Sequence, residues 1–73
     1  MAEQVRRFLR IKEVKQLVGY KRSAIYAKIQ ALEFPKPYSL SENGRAVAWN
    51  SEEIEAWIQT RIDASRKRQA LAP

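Results

Sequence analysis

The sequence predicts a mainly α-helical domain with one small β-hairpin, and three observations carry that prediction. Apolar residues recur at helical spacing in two short runs joined by a glycine-containing turn. Asn43-Gly44 separates two strand-like runs, and a capping signal at Asn50 opens a third helix. Two short helices so joined, followed by a hairpin and a third helix, describe a winged helix-turn-helix: three helices plus a two-stranded wing.

Residues 1–7 show no sustained period and read as a flexible basic arm. The run Phe8-Leu9-Arg10-Ile11 fits a short strand or the lead-in to a helix; it is too short for period to decide, and the strand is the preferred reading. Ile11, Val14, Leu17 and Val18 then share a helical face, with Gly19 as the stop, so helix 1 is expected over 12–18. Ile25, Ile29 and Leu32 recur at i, i+4 and i+7, which predicts helix 2 over 22–32 with those three inward. Phe34-Pro35-Lys36-Pro37 ends it, because proline lacks an amide donor and biases its predecessor away from helix. The strands of the wing are expected at 38–40 and 46–49, around a loop of Ser41, Glu42, Asn43, Gly44 and Arg45.

Asn50 is a favoured N-cap, Glu53 stands where a capping box needs it, and Trp49 and Ile54 occupy the two positions of a hydrophobic staple. Ile54, Trp57, Ile58 and Ile62 form one apolar stripe, which predicts that helix 3 closes the core over helices 1 and 2. Beyond Asp63 the period lapses. Arg66, Lys67 and Arg68 therefore read as a fraying helix end or tail, giving a winged helix-turn-helix domain over 8–63 and a basic tail over 64–73.

At 73 residues the chain is expected to form one domain. It contains no cysteine and no histidine, so disulfides, thiolate chemistry and the common zinc sites are excluded, and neither cofactor nor metal is expected. Apolar stretches run only a few residues, against the ~20 that span a bilayer, so a cytoplasmic, nucleoid-associated protein without membrane contact is expected. No Gly-rich phosphate loop, nucleophile elbow or carboxylate-rich metal loop is found. Glu52, Glu53 and Glu55 fall in the first turns of a helix, where the dipole accounts for them, so neither an enzyme nor a small-molecule ligand is expected.

The net charge of +6 draws polyanions, and its placement is more telling than its size. Up to Asn50 the chain holds ten basic residues (Arg6, Arg7, Arg10, Lys12, Lys15, Lys21, Arg22, Lys28, Lys36 and Arg45) against four acidic ones; from Ser51 the signs cancel. The whole excess lies ahead of helix 3, on the basic arm, the helix-turn-helix and the wing. With Ile25, Ile29 and Leu32 inward, Ser23, Tyr26, Ala27 and Gln30 face outward and Arg22 stands at the helix start. Such a face suits a major groove about 12 Å wide: Arg can take guanine, Gln adenine, and Ala27 a thymine methyl. Arg22, Ser23, Tyr26, Ala27 and Gln30 are the candidate base contacts, Tyr26 either offering its hydroxyl to a phosphate or packing its ring against the wing. Arg10, Lys12, Lys21, Lys28 and Lys36 are the candidate phosphate contacts, and Asn43, Gly44 and Arg45 form a wing tip for the backbone or minor groove. Trp49 and Trp57 read as core.

The ordered series Leu9-Arg10-Ile11-Lys12-Glu13-Val14, Gly19-Tyr20-Lys21-Arg22-Ser23-Ala24-Ile25-Tyr26, Phe34-Pro35-Lys36-Pro37, Gly44-Arg45-Ala46-Val47-Ala48-Trp49 and Glu53-Ile54-Glu55-Ala56-Trp57-Ile58 resembles the AlpA family of prophage regulators. The resemblance covers residues 9–62 and implies a MerR-like or excisionase-like winged helix-turn-helix. It implies a sequence-specific regulator of a prophage or other mobile element, acting on double-stranded DNA, with itself on adjacent sites and RNA polymerase or an integrase as further partners. It places recognition at Arg22, Ser23 and Tyr26, with Gly44-Arg45 as the wing. Lys21 and Ala24 stand where family members commonly have Ser and Thr, so the usual N-cap of the recognition helix is missing and its start is open to a shift. An excisionase that bends DNA at an attachment site is the nearest competing reading, and a protein-interaction module built on the third helix and basic tail is a second.

Overall fold

The computed structural model describes residues 6–71, so the basic arm lies outside the described residues except for Arg6 and Arg7. The order is β1 (Phe8–Leu9), α1 (Ile11–Val18), α2 (Arg22–Gln30), β2 (Tyr38–Ser39), β3 (Val47–Asn50) and α3 (Ser51–Leu71). This is the mainly helical, winged arrangement expected. The strand preferred over 8–11 forms as β1 and joins the wing: β3 lies between β2 and β1, both antiparallel to it, with Phe8 opposite Asn50 and Tyr38 opposite Ala48. Ser51 locks the outer edge, its amide donating to the Arg7 carbonyl and its hydroxyl accepting from the Arg7 amide, each at 2.9 Å.

Helix α1 stops at Gly19, which takes φ +78° and donates its amide to the Lys15 carbonyl at 2.8 Å. Only a residue tolerant of the left-handed region closes a helix this way. Helix α2 starts at Arg22 as expected, but ends two residues early. Leu32 takes φ +61°, its amide donating to Ile29, while the Glu33 amide donates to Lys28. That pair of bonds is a Schellman closure with leucine in the place glycine favours. It turns Leu32 outward, 80% exposed, so the inward role read from its spacing is wrong.

The wing loop is built on a turn in which the Gly44 amide donates to the Ser41 carbonyl, and only Gly44 has positive φ there. Asn43 Oδ1 stitches the loop by accepting from the Ser41 hydroxyl at 2.7 Å and the Arg45 amide at 3.0 Å. Ahead of α3, Asn50 caps as expected, its Oδ1 accepting the Glu52 amide at 2.9 Å. The capping box does not close. Glu53 instead accepts the Tyr38 hydroxyl at 2.8 Å, because β2 brings that phenol over the first turn.

Leu9, Val14, Ile25, Phe34, Trp49 and Ile54 form the buried core, so every element except β2 contributes to it or flanks it. The stripe of α3 is narrower than its spacing suggests: Ile54 is buried, Trp57 and Ile58 pack on the rim, and Ile62 is 39% exposed. Leu17, on the apolar face of α1, is 53% exposed. An eight-residue α1 has no neighbour beyond Val18 to cover either side chain. Helix α3 nevertheless continues to Leu71, because Ala64, Arg66, Lys67, Arg68, Gln69 and Ala70 are strong helix formers that need no core face.

Candidate nucleic-acid interface

The sequence of α2 gives it one narrow apolar edge, Ile25 fully buried and Ile29 half-buried, which leaves most of the helix surface free. Arg22, Ser23, Ala27 and Gln30 are exposed. Tyr26 is half-buried, its ring tilted against Trp49 of β3 at 6.2 Å between centroids, which is the wing-packing alternative. The Arg22 guanidinium lies 5.7 Å from the same ring, one helical turn away, so the aromatic face holds the arginine at the helix start. Ser23, Ala27 and Gln30 present a small hydroxyl, a methyl and a carboxamide beside it.

Helix α2 has no side-chain cap. Lys21 occupies the N-cap position in extended conformation, and Arg10 does the same for α1, again without a capping bond. The first-turn amides of both helices are therefore flanked by cations instead of capping oxygens, an arrangement that attracts anions. Lys12, Lys15 and Lys21 line one shallow depression at the turn between the two helices. Lys15 was not singled out from the sequence, although its i, i+3 spacing from Lys12 is the signal that pairs them.

Lys28 and Lys36, also expected as phosphate contacts, do not line that depression themselves. Lys28 follows Lys21 by two helical turns, its Nζ 5.0 Å from the ring centroid of Tyr20, which lines that depression, and 4.0 Å from Glu33 Oε1. Lys36 borders a separate depression with Tyr38, Glu53 and Trp57. At the wing, Arg45 is exposed beside Gly44. Among the described residues, no group of three or more His, Cys, Asp or Glu side chains is placed to hold a metal ion, and no helix is long and apolar enough to cross a membrane.

Fold and surface together define a winged helix-turn-helix whose second helix and basic turn are open to solvent. Comparison with known proteins assigns it further: residues 7–62 match the family described as prophage CP4-57 regulatory protein (AlpA), and the chain belongs to that family. It is also similar to a protein of Enterobacteria phage P4 described as uncharacterized protein ORF88, with 50% identity over 62 residues, covering 85% of this chain and 67% of that relative. No solved structure is a significant match. The chain is thus a phage-associated regulatory protein by family.

Proposed function

We propose that this regulator binds double-stranded DNA sequence-specifically, with α2 in the major groove and the wing on the adjacent backbone or minor groove, to control genes of a prophage or other mobile element. The observation that carries the reading is the exposed face of α2, where Arg22 is held over Tyr26 beside Ser23, Ala27 and Gln30. Arg22, fixed at the N-terminal end of the helix, has the reach and fork to take a guanine edge. Arg10, Lys12, Lys15 and Lys21, with the uncapped helix starts, take phosphates and set the register.

Quantitative binding to selected operator duplexes tests the reading. With about five phosphates neutralised, log affinity falls against log salt with a slope of roughly −4 to −5. Arg22→Ala costs roughly 1–3 kcal/mol and relaxes preference at one base position, whereas Arg45→Ala weakens all sequences alike and lowers the slope by about one. A slope near zero rejects DNA binding; equal, sequence-independent losses reject base reading by Arg22.

A further inference from the structure

The second half of α3 stands clear of the core. Residues 59–70 are all exposed, and at their base Leu17, Ile58 and Ile62 form the floor of an open groove between the end of α1 and α3, with Arg61 and Arg66 on its rim. Leu17 and Ile62 are 53% and 39% exposed, an apolar pair left in water beside Val18 and Ile58. The helix is also polarised along its length: Glu52, Glu53 and Glu55 lie near its start, and Arg66, Lys67 and Arg68 near its end.

At ~100° per residue, Glu55, Ile62 and Arg66 project from the same face of α3, which is also the face that borders the groove. We propose that this face is a dimer interface, in which α3 of a second copy lies antiparallel across the groove. About a two-fold axis near residues 60 and 61, Glu55 faces Arg66 of the partner subunit and Arg66 faces the partner subunit's Glu55. The apolar side chains Ile58 and Ile62 meet their counterparts over Leu17. An isologous contact makes each such pair twice, so one acidic and one basic position on a single helix suffice. A parallel arrangement would set like charges together along the same seam. The occupant is a second copy because α3 itself carries both the basic rim and the acidic face that complements it. The proposal is independent of DNA binding and is tested without DNA.

Sedimentation equilibrium of the full chain at ~0.15 M salt, where the net positive charge of each copy is screened beyond about 8 Å, reads the association directly. A reversible monomer–dimer equilibrium is expected. Glu55→Arg and Arg66→Glu each set like charges face to face at two symmetric places and should weaken it by about tenfold or more, and the double reversal should return it to within about threefold of the parent. Ile62→Asp should give a monomer whose thermal melt, followed by circular dichroism, matches the parent, since Ile62 contributes to the surface and not the core. The proposal is overturned if the parent stays monomeric to ~1 mM, if neither single reversal weakens the dimer, or if the double reversal fails to recover it. A monomeric parent that binds a synthetic acidic amphipathic helix in the groove likewise overturns it, and gives the groove to a foreign partner.

Discussion

Trp49 and Trp57 make the same polar contact from opposite sides of the molecule. Each donates its indole N–H to a backbone carbonyl of the segment between α2 and β2, Trp49 to Pro35 and Trp57 to Glu33, each at 2.9 Å. Their surroundings differ. Trp49 is fully buried between the sheet and α2, with Tyr26 at its edge, whereas Trp57 lies half-open on the flank of α3 against Phe34 at 4.8 Å and Tyr20 at 5.9 Å. The inner tryptophan holds the elements together; the outer one holds a loop onto them. One segment pinned from both sides has its backbone acceptors satisfied without belonging to any helix or strand.

The contrast predicts unequal losses. Trp49→Ala empties the centre of the core and strands the Pro35 carbonyl, costing roughly 3–5 kcal/mol, close to all the stability a domain this size commonly has. Far-ultraviolet circular dichroism should show it largely unfolded at moderate temperature. Trp57→Ala should cost roughly 2–3 kcal/mol, since its ring is already partly in water, and leave a folded protein with a lower Tm. Equal losses for the two would mean that the flank is as much core as the sheet.

Smaller changes sharpen the same contrast on the outer side. Leu32 enters the pinned segment at φ +61° with its side chain exposed, so Leu32→Gly relieves left-handed strain and gives up little packing. A gain of about 1 kcal/mol in chemical denaturation is expected, and a loss would show that Leu32 is held by contacts it makes in solution. The smallest effect concerns Tyr38, whose phenol is held above its ordinary pKa of 10.0 by its hydrogen bond to Glu53 and then by that carboxylate's charge. A phenol pKa raised on folding adds stability below its unfolded value, lost as pH rises through the folded one. Tyr38→Phe should therefore flatten the fall in Tm above pH 10, with little change at neutral pH; an unchanged slope removes the bond from the account.

Local signals were legible in the sequence and long-range ones were not. Gly19, the start of α2 at Arg22, the Asn50 cap and the Trp49–Ile54 staple are all decided within a few residues, and all stand in the structure as read. The missing cap at Lys21 was also legible, and it left the helix start unshifted. Leu32 was misread because its spacing continues the apolar period after the backbone has left the helix. Ile62 was misread because period marks a face but not whether anything lies against it, and Leu17 on the apolar face of α1 is open for the same reason. Glu53 was drawn to Tyr38 by a strand pairing that spacing along α3 does not reveal. Around the turn between α1 and α2, Lys28 lies against Tyr20 and Glu33, neighbours that neither charge nor spacing announced, while the grouping of Lys15 with Lys12 is legible from their distance in sequence.

The position of β3 between two partners also sets an order in time. Its pairing with β2 is a hairpin, and such hairpins, like α1 and α2, form within roughly 10 μs. Its pairing with β1 joins residues about forty apart, Leu9 to Trp49 and Phe8 to Asn50, and so waits until the chain between them has collapsed. That strand is therefore expected to arrive last and to leave first. The Arg7 amide, bonded only to the Ser51 hydroxyl, should exchange with deuterium sooner than the Ile25 amide inside α2. Arg7 also sits 2.9 Å from Glu13 on α1, a pairing of residues six apart that ties the edge of β1 to the first helix.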